Sequence, residues 1–358
     1  VAASFGRGFF VLDDYSALRG MMNKENLDRT AKLFKPRDAK LFKPRNALGN
    51  TGGQYYVAEN PTFGAVFTYH LNEIPETIKS KRKKIESSLN KENDDIPFPG
   101  YDSLTDEMRE KPAMLLLSIN DSEGNLIRNV SQKPSKGTGK IVWDLKHKSY
   151  STITAYSGWR EMTGPFVTPG NYSATLYMQK DGILELLDGP VEFNVNLLRE
   201  GVLKGASFDE YNSHLNDLAS LYKKYSKYSD TFFGLESKLN LLEKALLLSE
   251  SLSENSFNEL KNVKDQYLSI KDKYGTSPSK NEIGEWDKPT IGSRLSIANQ
   301  GLSTFYGPTG MNKYNLEIAK KLVDEYKNDV ELINNVVEDL EEKIKNLNHP
   351  HISGSGIN

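Results

Sequence analysis

The chain contains no cysteine, which excludes a disulfide scaffold and every thiolate metal site, without fixing the compartment. No apolar run approaches the ~18 residues that a membrane-crossing helix requires. Neither charge sign dominates: 46 Lys and Arg stand against 48 Asp and Glu, a formal net charge of -2, so there is no basic field for nucleic acid. Gly-x-Ser-x-Gly, a P-loop and a dinucleotide fingerprint are all missing. The five histidines (His70, His147, His214, His349 and His351) lack the i,i+4 spacing of a helical zinc site. What remains is ordinary globular composition, 37% hydrophobic and 26% charged over 358 residues, enough for two or three domains.

Residues 4–19 carry a short apolar run, Phe9-Phe10-Val11-Leu12, that suits a buried strand. Gly6 and Gly8 allow a tight turn before it, and Asp13-Asp14 stop it. Nothing local offers this strand a partner. It reads as the end of a fold whose earlier part is encoded upstream, so the chain is expected to be the C-terminal part of a longer protein.

Four regions follow by pattern. Residues 1–19 are the strand remnant and 20–55 a connector rich in Asn, Gly, Lys and Arg. Residues 56–199 read as β and 205–348 as helical, with a flexible tail at 349–358. The connector holds a tandem repeat: Ala31-Lys32-Leu33-Phe34-Lys35-Pro36-Arg37 recurs as Ala39 to Arg45. Each copy is an extended segment stopped by Pro, which predicts two short edge strands or a surface strap. The alternative is a basic docking strip, with Lys32, Lys35, Arg37, Lys40, Lys43 and Arg45 facing an acidic partner.

In the β region, strands are expected at Gly64–Leu71, Ala113–Ile119, Leu126–Val130, Lys140–Leu145, Asn171–Met178 and Val191–Val195, with a hairpin turn at Asp121–Gly124. Short strands with regular turn signals predict a β-sandwich. A charged insertion interrupts it at 73–112, with a helix expected over 75–93, ended by Pro97 to Gly100. Its Lys79, Lys81, Arg82, Lys83 and Lys84 could meet a polyanion, but a charge run of this kind reads first as a solvated face.

The C-terminal region has helical spacing. Phe208, Tyr211, Leu215, Leu218, Tyr222 and Tyr225 form one seam, and Leu235, Leu239, Leu242 and Leu246 another. Phe257, Leu260, Val263, Tyr267, Ile270 and Tyr274 make a third. The last and most regular runs Ala319, Leu322, Tyr326, Val330, Ile333, Val337, Leu340, Ile344 and Leu347. Narrow seams among charges predict an antiparallel bundle or coiled coil. Ser207 with Glu210 predicts a capping box, and 276–311 reads as a long connector.

Candidate chemistry is sparse. Adjacent Asp13 and Asp14 on a strand point to opposite faces and do not converge on a substrate. Gly6-Arg7-Gly8 is too short for a phosphate loop. Asp121-Ser122-Glu123-Gly124-Asn125 resembles a calcium loop only superficially, because Gln132 stands where the bidentate acid belongs. Trp143, Trp159, Tyr150, Tyr156 and Phe166 could build an aromatic sugar platform, although Trp143 has the neighbours of a buried residue. No residue is assigned to catalysis, to a cofactor or to a metal.

The run Phe5-Gly6-Arg7-Gly8-Phe9-Phe10-Val11-Leu12-Asp13-Asp14 resembles the closing blade of secreted sortilin-like, bacterial-neuraminidase-repeat propeller proteins. Leu33–Ala39 and Asn60–Ala65 are similar to segments that follow in that family. Trp143–Leu145 with Pro169–Tyr172 also resembles the immunoglobulin-like module of flagellar hook caps. Residues 289–295 and 306–309 look like the family's helical tail. The resemblance implies a propeller-strand remnant, an immunoglobulin-like β-sandwich and an antiparallel helical bundle. It implies export to the periplasm or surface of a Gram-negative bacterium, with the upstream propeller as partner. It supplies no catalytic residue here. The expected role is a non-catalytic accessory, scaffolding or interaction region. The alternatives are the positioning region of a glycan-acting hydrolase and a subunit of a cell-envelope complex.

Overall fold

A computed structural model of the chain describes residues 2–3, 5–6, 8–12, 14–44, 60–153 and 163–352. It divides into two compact units: Val1–Lys148 with Phe166–Glu200, and Ser149–Pro165 with Gly201–Asn358. The chain is a mixture of sheets and helices, with a long C-terminal helical region.

The elements up to residue 200 are, in chain order, β1 (Ala2–Ala3), β2 (Phe9–Phe10), α1 (Ser16–Met21), α2 (Lys24–Asp28), β3 (Ala31–Leu33), β4 (Ala39–Leu41), β5 (Ala65–Leu71), α3 (Ile78–Glu92), α4 (Tyr101–Arg109), β6 (Met114–Asp121), β7 (Leu126–Gln132), β8 (Gly137–Trp143), β9 (Lys146–Lys148), β10 (Thr163–Phe166), β11 (Gly170–Lys180) and β12 (Ile183–Leu197). A three-stranded sheet has the order β3-β5-β8 and a five-stranded sheet the order β4-β12-β11-β6-β7. Strict alternation in β5 buries Ala65, Phe67, Tyr69 and Leu71 and leaves the residues between them half-exposed. Register aligns the inward sets, with Phe67 opposite Ile141, Ala65 opposite Trp143, and Leu176 opposite Leu117. The two apolar faces meet through aromatic rings: Phe67 to Phe193 at 5.1 Å, Trp143 to Tyr172 at 5.4 Å and Trp143 to Phe193 at 6.0 Å between centroids.

Several expectations need correction. The strand at Phe9 has a local partner after all: β1 pairs with β2 in a small antiparallel hairpin. It is not buried, since Phe9 is 75% exposed and Val11 and Leu12 are exposed too. Residues 20–44, the described part of the 20–55 segment, are more than a connector. Both repeat copies are strands, and they go to different sheets: β3 runs antiparallel to β5, and β4 runs parallel to β12, each at a sheet edge. Alternation buries Ala31, Leu33, Ala39 and Leu41 and turns Lys32 and Lys40 outward. The strand expected at Val191–Val195 begins at Ile183. The one expected at Lys140–Leu145 runs Gly137–Trp143, because Leu145 has φ 58°. In the insertion, α3 matches the expected helix, while α4 had no counterpart in the sequence reading. Arg82 joins the two helices, its Nε donating to Glu107 at 2.5 Å and its Nη2 at 2.9 Å. That pairing raises the guanidinium's affinity for its proton and holds the Glu107 carboxyl below the usual carboxylate range.

Asp188 ties the edge strand β3 to β12. It accepts the Leu33 N–H at 2.7 Å and faces Lys32 Nζ at 3.0 Å. Burial works against its ionised form, but the Leu33 amide and the Lys32 ammonium outweigh it and depress its pKa. A depressed carboxylate stabilises the fold above the unfolded value of about 4, and that stabilisation is lost as pH falls through the folded value. The melting temperature should therefore drop below about pH 4, and Asp188→Asn should flatten that acid limb in a melting-temperature series against pH.

The second unit contains α5 (Phe208–Leu247), α6 (Glu254–Tyr274), α7 (Pro278–Glu282), α8 (Ile291–Gln300) and α9 (Gly310–Lys345). The Ser207–Glu210 capping box starts α5. Apart from Phe208, the expected seams face one shared core. The direction of the helices differs from the expectation. Glu210 pairs with Lys313 at 2.9 Å, Asp217 with Lys320 at 3.0 Å, and Lys238 with Glu341 at 2.6 Å, so α5 and α9 run parallel. The antiparallel return is made by α6 and α8 together. Glu236 meets Lys271 and Glu243 meets Lys264 on α6, while Tyr211 donates to Leu302 O at 3.2 Å and His214 Nε2 meets Ala298 O at 2.9 Å beside α8. Residues 276–311 are thus no mere connector, because α8 buries Ile291, Leu295 and Ala298.

Candidate functional site

The candidate site is a cleft of about 510 Å3 in the first unit. It forms where the two repeat copies leave an opening. The first copy follows β5 only as far as Phe34, whose N–H donates to Thr68 O at 2.9 Å. Pro36, with no N–H to donate, cannot extend that ladder, and the chain crosses to the other sheet to form β4. The walls of the opening are Phe42, Phe63, Pro44, Pro61 and Val66, rimmed by Arg37, Lys40, Asp14 and Asp38. A volume of this size is ordinary for a ligand pocket, and here an apolar wall stands beside four charged side chains.

The aromatic wall is built edge-on. Phe42 and Phe63 have centroids 4.9 Å apart at 83°, and Phe63 meets Phe166 at 6.0 Å and 85°. Lys146 Nζ lies 5.3 Å from the Phe166 ring centre. Both rim carboxylates are already engaged. Asp14 accepts the Ser16 N–H at 2.8 Å and faces Arg37 Nε at 3.9 Å, and Asp38 faces Asn194 and Asn196 at 3.3–3.4 Å. Lys40 makes no ion pair among the described residues, whereas its counterpart Lys32 is held by Asp188.

Gly64 shapes the floor. Its φ is +122°, and a Cβ there would lie 2.1 Å from the Trp143 carbonyl oxygen. Gly64→Ala should cost more than about 1 kcal/mol and broaden the amide signals of residues lining the cleft.

The structure scatters the other sequence candidates. The basic strip is not one face: Lys35 lines a separate polar pocket with Asp121 and Glu192, and Arg45 lies outside the described residues. Arg7, Asp13, Tyr156 and Trp159 also lie outside them. The aromatic platform does not assemble. Trp143 is buried, with its Nε1–H donated to Lys146 O at 2.9 Å, and Tyr150 packs on Tyr222 in the helical unit. Tyr150 also donates to Asn299, and burial raises its phenol's pKa. Asp121 organises a hairpin turn, accepting the Glu123 and Asn125 N–H groups at 3.0 and 2.8 Å.

The histidines serve separate elements. His70 bridges Thr138 and Asn72 on β5, and His214 is buried against α8. His147 is half-buried, and desolvation lowers its pKa to about 4. Among the described residues, no group of three His, Asp or Glu is placed to hold a metal ion. Nor is any described helix long and apolar enough to cross a membrane.

Sequence reasoning passed over Phe63 and Val66 as site residues. The signal was available in the Pro that ends each repeat copy, since a proline beside a strand leaves the facing edge open.

No family model matches the chain, and no curated protein is found to be similar to it.

Proposed function

We propose that the chain is a non-catalytic interaction and scaffolding region of an exported bacterial protein. In this reading the two facing sheets are an immunoglobulin-like sandwich and the C-terminal helices are a bundle with a split return helix. The observation that carries it is the cleft between the repeat copies. Its walls are aromatic and prolyl, and its carboxylates are engaged in structural contacts, which suits binding another polypeptide better than turning over a substrate. The hairpin β1–β2, with Phe9 and Val11 exposed, adds apolar surface that a neighbouring polypeptide could cover. The resemblance of residues 5–14 to a closing propeller blade supports an upstream propeller, or another cell-envelope protein, as that neighbour, and supports export to the periplasm or cell surface.

The test is chemical cross-linking of the protein in its native cells, read by mass spectrometry. Cross-links from Lys24, Lys40 or Lys43 to a polypeptide outside this sequence are expected. Turnover of a glycan by the isolated chain would overturn the reading.

A further inference from the structure

The two walls of the cleft present strand edges as well as side chains. In the β3–β5 ladder, Thr68 O faces β3, where it accepts the Phe34 N–H. Backbone groups two residues apart share an edge, so the N–H and C=O of Val66 face the same side. Register would set Pro36 opposite Val66, and the chain has already turned away there. On the other wall, Leu41 O faces β12, accepting the Leu198 N–H at 3.0 Å. The groups of Lys40 therefore face away from β12, and β4 is the last strand of its sheet. Val66 and Lys40 both line the cleft, and among the described residues no strand pairs with either open edge.

An open strand edge beside an apolar pocket is the chemistry that recognises extended backbone. Charge narrows the choice. Arg37 at 3.9 Å offsets Asp14, and Asp38 is held by the Asn194 and Asn196 amides, so Lys40 and Lys43, which form no ion pair among the described residues, outnumber the one remaining carboxylate beside the cleft.

We propose that the cleft takes an extended acidic peptide segment, which adds as a strand along β5 at Val66, sets a large apolar side chain against Phe42 and Phe63, and places a carboxylate near Lys40 Nζ. This rests on the reading of the chain as an interaction region and names the chemistry of its partner. The tandem repeat then has a use: its first copy blocks the upper half of the β5 edge, and its second builds the far wall.

The experiment is fluorescence anisotropy of the full chain with a labelled probe peptide, Asp-Glu-Val-Phe-Val-Glu-Asp. Two controls accompany it, one with lysine in place of each acid and one N-methylated at alternate residues. Saturable binding of the acidic probe is expected. N-methylation should weaken it at least about tenfold, because the added strand loses its ladder donors. Lys40→Glu, an exposed substitution that leaves the melting temperature in place, should weaken it by about tenfold. Residue-resolved amide exchange should slow at Val66 and Lys40 when the probe is bound.

Absence of binding, equal binding of the lysine or N-methylated probe, or unchanged exchange at Val66 and Lys40 would each overturn the proposal. If the probe fails while cross-links to a partner polypeptide persist, the cleft assignment falls and the interaction reading stands. Glycan turnover by the isolated chain would remove that reading itself.

Discussion

Trp143→Ala is expected to be the most damaging single truncation in the sheet unit. The indole is 0% exposed and touches both Tyr172 and Phe193 across the sheet interface. Removing it opens a cavity between two sheets whose strands are held in register and cannot collapse onto it, a loss of about 3–5 kcal/mol. It also strips Lys146 O of the indole N–H that it accepts at 2.9 Å. For a unit of this size the melting temperature should fall by roughly 10 °C. Residue-resolved hydrogen exchange should show lost protection in β5, β8, β11 and β12. Trp143→Phe separates the two contributions, since it keeps most of the apolar bulk and deletes the hydrogen bond, at a cost of about 1–2 kcal/mol. Equal losses for Trp143→Phe and Trp143→Ala would show that the hydrogen bond, not the ring, carries the effect.

Phe232→Ala should cost a similar amount, about 3–5 kcal/mol, in the helical unit. Phe232 is 3% exposed and joins all three long helices. Its ring stacks on Tyr267 of α6 at 4.5 Å and meets Tyr326 of α9 edge-on at 5.8 Å. Its neighbour Phe233 is the internal control. One step along an α-helix turns a side chain through about 100°, which leaves Phe233 58% exposed. Phe233→Ala should therefore change stability by no more than about 0.5 kcal/mol. The measurement is urea unfolding of both variants followed by helical circular dichroism. A cost at Phe233 comparable with that at Phe232 would mean that both faces of α5 are packed.

The tyrosines around Phe232 are held by acids on the helix surfaces. Tyr267 donates to Glu236 at 3.1 Å and Tyr274 to Asp329 at 2.7 Å. Burial first, and the hydrogen bond to Asp329 after it, push the Tyr274 phenol up to about 12, so it stays a donor throughout the physiological range. Side chains of this kind make the core specific in partner as well as apolar, because each buried ring must also find an acceptor.

Much of the architecture was legible, and the misses share causes. The strands at Ala65–Leu71 and Gly170–Lys180 alternate apolar and polar residues, and alternation is a local signal. The first half of β12, Ile183 to Leu187, does not alternate because neither face is packed there, and so it carries no local strand signal. Helix α8 was hidden by Pro289, Gly292 and Gly301, which look like loop punctuation. Its Thr290 cap was available as a signal, but the residue closing that box is Ser293, not the usual Glu or Gln. The parallel pairing of α5 with α9 rests on Lys–acid contacts between residues about a hundred positions apart, and an apolar seam carries no mark of direction. The cleft was legible only in part: the repeat and its prolines were evident, but the strand edges that they leave open depend on which strands they meet.

By itself the amino-acid sequence determined the alternating strands and the long helices, which of their side chains turn inward, and most of the places where the chain stops and turns. These follow from the period of the backbone and from the local chemistry of Pro, Gly and capping residues, which act over a few positions. Only the tertiary structure decided partners and directions. Two identical heptapeptides became strands of different sheets, one antiparallel and one parallel, because each met a different open edge. That choice depends on chain closure and on packing among residues far apart in sequence, and a local pattern cannot encode it.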